Sequence, residues 1–189
     1  MFEFKKKIFT FLINHNAKID EDVLSYGFDV VTSYLLYLSI LIPVTVYFKI
    51  VFEVLVFLLI FIPMRKYLGG FHFENNVLCL VFSLITTFTI PLIARELGAL
   101  SLKIQILLMV ANIFLINIFG VVDSKKKKLN NCDKRYYLRN ANILLMIYSL
   151  ILVIFYDVIP LNYTYIILIT VSVMNINLVF AKIKGIYNN

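Results

Sequence analysis

The sequence predicts an all-α polytopic membrane protein with six transmembrane helices, preceded by an interfacial amphipathic helical segment. Three observations carry that reading. Of 189 residues, 61% are hydrophobic and 15% charged, with 17 Phe, 12 Tyr and a mean hydropathy of +0.90; soluble domains average ~45–50% apolar and ~25% charged. The apolar residues come in runs long enough for a bilayer core of ~30 Å, which takes ~20 helical residues. The charges gather between those runs rather than within them. The same facts exclude a disordered chain, a disulfide scaffold and a nucleic-acid-binding module. The net charge of +7 flanks apolar segments, so it describes topology and not a phosphate partner. Two Cys make no disulfide framework.

The chain reads as a single membrane domain over 1–189. Residues 1–25 form an interfacial leader, in which Phe2, Phe4, Phe9, Phe11 and Leu12 alternate with Lys5, Lys6 and Lys7. A signal peptide is excluded: the apolar run 8–13 is short and meets Asn14, His15, Asn16 and Lys18 instead of a small-residue cleavage site. Spans follow at roughly 26–43, 46–64, 77–94, 101–122, 141–159 and 162–181. Apolar character is almost unbroken from Phe28 to Met64, with Pro43, Lys49 and Glu53 as punctuation. A tight hairpin over 43–49 divides this run, and Glu53 can pair with Lys49 one helical turn away. The longest polar stretch, 123–140, is the one substantial loop.

Charge asymmetry tests the count. With the N-terminus inside, the inner segments hold Lys5, Lys6, Lys7 and Lys18, then Arg65 and Lys66. They continue with the four lysines from Lys125 to Lys128, with Lys134, Arg135 and Arg139, and with Lys182 and Lys184. The outer segments hold only Lys49, Arg95 and Lys103. Fifteen basic residues against three put both termini in the cytoplasm of a multi-pass cell-membrane protein.

One segment concentrates reactive chemistry. Between the second and third spans stand Arg65, Lys66, Gly69, Gly70, His72 and, seven residues on, Cys79; this stretch holds one of two His and one of two Cys. A thiolate is the attacking species, and a free thiol pKa near ~8.5 has to be lowered by an imidazole or similar neighbour. On a straight helix the two side chains would lie ~10 Å apart along the axis. His72 is therefore expected in the connection, folding back over Cys79 in the first turns of the third span, with Gly69 and Gly70 permitting the bend. The residues alone leave a second reading open: a small apolar Cys in a span, a solvated interfacial His, a simple Gly-Gly turn, and Arg65 and Lys66 as topology signals.

The complete string Arg65-Lys66-x-x-Gly69-Gly70-x-His72 followed by Cys79, at the head of an apolar span, resembles the accessory gene regulator B (AgrB) family. The likeness extends to length, span count, basic leader and the Lys-rich loop. These are membrane cysteine peptidases of Gram-positive quorum sensing. The resemblance implies His72 and Cys79 as the catalytic pair, with Arg65 and Gly70 at substitution-sensitive positions. It implies an AgrD-like precursor peptide as partner, removal of that peptide's C-terminal tail through an acyl-enzyme thioester, and a thiolactone or lactone pheromone as product. It also implies a homodimer.

The remaining polar features divide similarly. Lys125, Lys126, Lys127 and Lys128 would attract anionic lipid at ~1 kcal/mol each, or capture the precursor's acidic tail. Backbone N–H groups near Gly69 and Gly70 can stabilise an oxyanion. Asn112, Asn117, Asn175 and Asn177 lie at membrane depth and should point inward, hydrogen-bond between helices or line a wet cavity, with interhelical packing the favoured role. Cys132, in the polar loop, reads as a bystander. No metal and no cofactor are expected, and the partners are peptide and lipid bilayer, not nucleic acid. The rival functions are a small peptide transporter and a non-enzymatic membrane scaffold.

Overall fold

The structure is a computed structural model and describes residues 21–70, 76–98, 100–122 and 129–187. Six helices account for nearly all of them: α1 Glu21–Tyr47, α2 Val51–Leu68, α3 Asn76–Glu96, α4 Leu102–Phe119, α5 Asn131–Ile154 and α6 Leu161–Tyr187. No strand occurs among the described residues, so the all-α expectation is met. Five helices contain stretches long and apolar enough to cross a membrane: Val30–Tyr47, Val77–Glu96, Leu102–Phe119, Asn131–Ile154 and Leu161–Ile183. The sixth, α2, has 18 residues and carries Glu53 in its first turn and Arg65 and Lys66 in its last. The helices fall into two compact units, Met1–Tyr47, of which α1 is the described part, and Phe48–Asn189, which holds α2 to α6. Residues 1–20 of the expected interfacial leader lie outside the described residues; 21–25 belong to α1.

Pro43 does not end the first helix, contrary to the expected 43–49 hairpin. α1 passes through it and stops at Tyr47. Proline deletes one N–H donor, and in an apolar medium the surrounding turns are held by every remaining backbone bond. Hydroxyls add to them: Thr45 donates to the Ile42 carbonyl at 3.0 Å and Ser39 to Leu36 at 2.9 Å. The chain turns instead at residues 48–50, where Lys49 adopts φ 55°. Lys49 is thus off the helix, and the expected pairing with Glu53 does not form. Glu53 is buried and accepts from Asn162 Nδ2 at 3.4 Å.

In the second unit α6 is the central element, packing against α2, α3 and α4, while α2 also meets α3 and α5, and α4 meets α5. Half of Leu161–Ile183 is buried (50%) against 22% for each of the three other spans of this unit. Its partners present apolar stripes at helical spacing: Phe57, Ile60, Met64 and Leu68 on α2, and Ala141, Leu145, Tyr148 and Leu152 on α5. The opposite faces, including Leu107, Phe114, Met146 and Leu150, are exposed hydrocarbon suited to lipid. Amides tie the helices as expected. Asn175 Nδ2 donates to Asn112 Oδ1 at 2.7 Å, and Asn112 Nδ2 to Ser172 Oγ at 3.0 Å. Asn117 and Asn142 exchange bonds of 3.1 and 2.9 Å.

Three further boundaries differ from expectation. α5 starts at Asn131 rather than 141, because Asn130 and Asp133 form a capping box, and ends at Ile154 rather than 159. The second half of the supposed 123–140 loop is therefore helix, and Cys132 lies exposed in its first turn. α4 ends at Phe119, where Gly120 takes φ 64°.

Candidate active site at the Gly69-Gly70 turn

The last turn of α2 is apolar on its inner face, which leaves Met64 and Leu68 fully buried. The helix then stops on Gly69, whose φ of 75° only glycine adopts without strain and whose N–H donates to the Arg65 carbonyl at 3.0 Å. Gly70 follows with φ 147°. The neighbour of Gly69 is backbone and cannot yield, while at Gly70 the positive φ is the constraint and the neighbour is the end of a side chain. A Cβ at Gly69 would stand 2.7 Å from the Val122 carbonyl oxygen, and one at Gly70 would stand 2.8 Å from Asn177 Oδ1. The Val122 N–H donates in turn to the Leu68 carbonyl at 3.1 Å. The turn is therefore gripped between the segment that leaves α4 and the side of α6.

α3 begins at Asn76, so Cys79 falls in its first turn, half-buried and not in a disulfide. The N-terminal turn of a helix carries exposed N–H groups and a partial positive potential. Arg65 is half-buried one turn before the glycines, its guanidinium 5.5 Å from the Phe61 ring centroid. Lys66 is exposed, with Nζ 5.8 Å from the Tyr67 ring, and Tyr67 packs on Tyr137 of α5 at 6.3 Å. Arg139 and Lys182 likewise lie over Tyr136 and Phe119, both at 5.7 Å. Each of these cations thus lies near an aromatic ring. His72 and the four lysines Lys125, Lys126, Lys127 and Lys128 lie outside the described residues.

The sequence model of one family, accessory gene regulator B, matches residues 5–180. The chain belongs to the accessory gene regulator B family. The matched span runs from the basic leader almost to the end of α6 and includes Arg65, Gly69, Gly70, His72 and Cys79. No curated protein and no solved structure matches the chain. Accessory gene regulator B proteins take part in processing quorum-sensing peptides, so the partner of this chain at the membrane is a peptide precursor.

The structure brings Arg65, Gly69 and Gly70 into one turn and puts Cys79 at the start of the next helix. Two parts of the arrangement were missed from sequence. Val122 gave no signal, since its contribution is backbone. Asn177 was read as an inward-facing amide on the last span, with no link to the glycine pair, whereas its side chain lies where a Cβ on Gly70 would project.

Proposed function

We propose that this chain is a membrane-embedded cysteine endopeptidase that removes the C-terminal tail of a small AgrD-like precursor and so leads to a cyclic thiolactone or lactone pheromone. The observation that carries the reading is the half-buried free thiol of Cys79 in the first turn of α3, a few residues beyond a glycine turn, in a chain of this family. Cys79 is the nucleophile and His72 its base. The thiolate attacks the carbonyl that joins pheromone to tail, the C–N bond breaks, and imidazolium His72 returns its proton to the leaving amine. The acyl group then passes from Cys79 to a thiol or hydroxyl of the precursor itself, which closes the ring and regenerates the free enzyme thiol.

Hydrolysis is the competing fate of the thioester, and a nucleophile recessed at the membrane boundary keeps water from it. The Gly69 N–H is taken by the Arg65 carbonyl, contrary to its expected oxyanion role, which leaves the main-chain N–H of Gly70 as the donor that can approach an oxyanion. Arg65 is placed to engage a substrate carboxylate or carbonyl, since a guanidinium offers paired donors. Lys125, Lys126, Lys127 and Lys128 serve the acidic tail or anionic lipid.

The same reading makes α2 a sixth span. Its 18 residues reach about 27 Å at ~1.5 Å per residue, close to the hydrocarbon thickness, and its charges sit in its end turns. The charge asymmetry then puts the Gly69-Gly70 turn and Cys79 at the cytoplasmic face, with both termini inside. A homodimer is the expected assembly.

The test uses purified protein in liposomes with the short Cys-containing peptide encoded beside it, followed by intact-mass spectrometry. Tail release together with an acyl adduct on the native chain, both lost in Cys79→Ala and His72→Ala, is the expected result. Tail release that persists in Cys79→Ala overturns the nucleophile assignment.

A further inference from the structure

The carbonyl that a proline leaves open in α2 is met by a side chain of a neighbouring helix. α2 runs unbroken from Val51 to Leu68 with Pro63 inside it. In a regular helix the N–H of residue 63 would donate to the carbonyl of residue 59, and proline has no N–H to give. The Leu59 carbonyl accepts instead from the Tyr148 hydroxyl of α5 at 3.3 Å. Tyr148 is buried, with the fully buried Leu145 one turn before it and the fully buried Leu152 one turn after, on the stripe that α5 turns to the core. In an apolar medium a backbone group freed by proline has to find such a partner, because no water is there to take its place.

We infer that Tyr148 is a positioning residue for the substrate-facing end of α2: its hydroxyl takes the place of the donor that Pro63 lacks and so fixes the angle at which the segment carrying Arg65 and the Gly69-Gly70 turn leaves the rest of the helix. The inference rests on the peptidase reading for the role of Arg65, but not for the contact itself. Arg65 stands six residues beyond Leu59, ~9 Å along the axis of the same helix. Burial of Met64 and Leu68 keeps that segment against its neighbours. Apolar contact is non-directional, however, and a helix that lacks one bond at proline can bend there. A hydrogen bond to the open carbonyl is directional and selects one bend.

The test is a cycle of Tyr148→Phe, which removes only the hydroxyl, in two backgrounds. One is the parent chain; the other is Pro63→Ala, where residue 63 again has an N–H for the Leu59 carbonyl. Two quantities are read in liposomes. Without peptide, nitroxides on Phe52→Cys and Lys66→Cys in a Cys79→Ser, Cys132→Ser chain report the bend by double electron–electron resonance. Both positions are exposed, and they lie ~21 Å apart along α2. With the precursor, kcat and KM of tail cleavage are measured in unlabelled protein. Tyr148→Phe is expected to shift or broaden the nitroxide distance and to raise KM by about 10-fold with kcat little changed, the scale of one misaligned charge-assisted hydrogen bond from Arg65. In Pro63→Ala the same substitution is expected to leave distance and KM unmoved, because the helix now supplies the donor. A merely destabilising change would lower the folded fraction, and with it the apparent kcat, in both backgrounds alike and leave KM where it was.

Equal effects of Tyr148→Phe in the two backgrounds, or an unchanged nitroxide distance in the parent chain, overturn the inference. A shifted distance with KM at the parent value overturns the positioning role. If tail cleavage survives Cys79→Ala, the peptidase assignment fails instead, and the distances measured without peptide still decide whether the Tyr148 hydroxyl sets the bend of α2.

Discussion

The two ends of the second unit are held by different chemistry. At the end where α3 passes to α4, side chains hold a loop: Tyr165 donates to the Gly98 carbonyl at 2.9 Å and accepts the Leu100 N–H at 2.6 Å. Tyr156 and Gln105 both donate to the Leu100 carbonyl, at 3.2 and 3.1 Å. At the end where α2 passes to α3, the grip comes mainly from the absence of side chains. Gly69 and Gly70 let Val122 and Asn177 approach the main chain within a distance that any Cβ would fill. A hydroxyl clamp fixes a loop and covers its polar groups. A glycine grip fixes a turn through close approaches that a Cβ would block. The free thiol of Cys79 lies in the first turn of the helix that follows the second end.

Glycine substitution at each end gives the sharpest contrast. Gly69→Ala puts a methyl 2.7 Å from a backbone oxygen at φ 75°, and is expected to destabilise the protein by ~2–4 kcal/mol and to abolish most tail cleavage, read by thermal unfolding in detergent and by mass spectrometry. Gly98, at the hydroxyl-clamped end, has nothing within 4 Å of its Cβ position, so Gly98→Ala should stay within about 0.5 kcal/mol and cleave normally. Equal effects at the two positions would erase the distinction between the ends.

Tyr165→Phe comes next. It removes both hydrogen bonds of one hydroxyl and leaves the Leu100 N–H and Gly98 carbonyl without that partner, for a loss of ~1–3 kcal/mol. Stability should fall while kcat is retained, because the clamp is remote from Cys79; a matching fall in kcat would couple the ends. Smaller still, Asn117→Ala removes the reciprocal pair with Asn142 between α4 and α5, for about 0.6 kcal/mol, the average found for interhelical polar contacts in membranes.

The sequence made the helical class legible because lipid leaves the backbone few alternatives, and the apolar runs at 77–94, 101–122 and 162–181 each fall largely on one helix, α3, α4 and α6. The misplacements have local causes. Pro43 looked like a turn, but a helix in an apolar medium tolerates one missing donor, and the chain turned at Lys49. The polar residues 131–140 looked like a loop because their charges masked a capped helix start at Asn130 and Asp133. The glycine pair was legible as a turn because the residues that form it are its own sequence neighbours. The contacts of Val122 and Asn177 join residues more than fifty positions apart, one through backbone alone, and no local pattern encodes them.

The most direct test of the central claim is to trap the intermediate and locate it. Cys132→Ser protein in liposomes is mixed with the precursor, quenched in acid within the first turnover, digested, and analysed by mass spectrometry. The account predicts an acyl group of pheromone mass on the peptide containing Cys79, labile to hydroxylamine as a thioester is, and absent in His72→Ala. Tail release from Cys79→Ala protein, or an adduct on any residue other than Cys79, would contradict it.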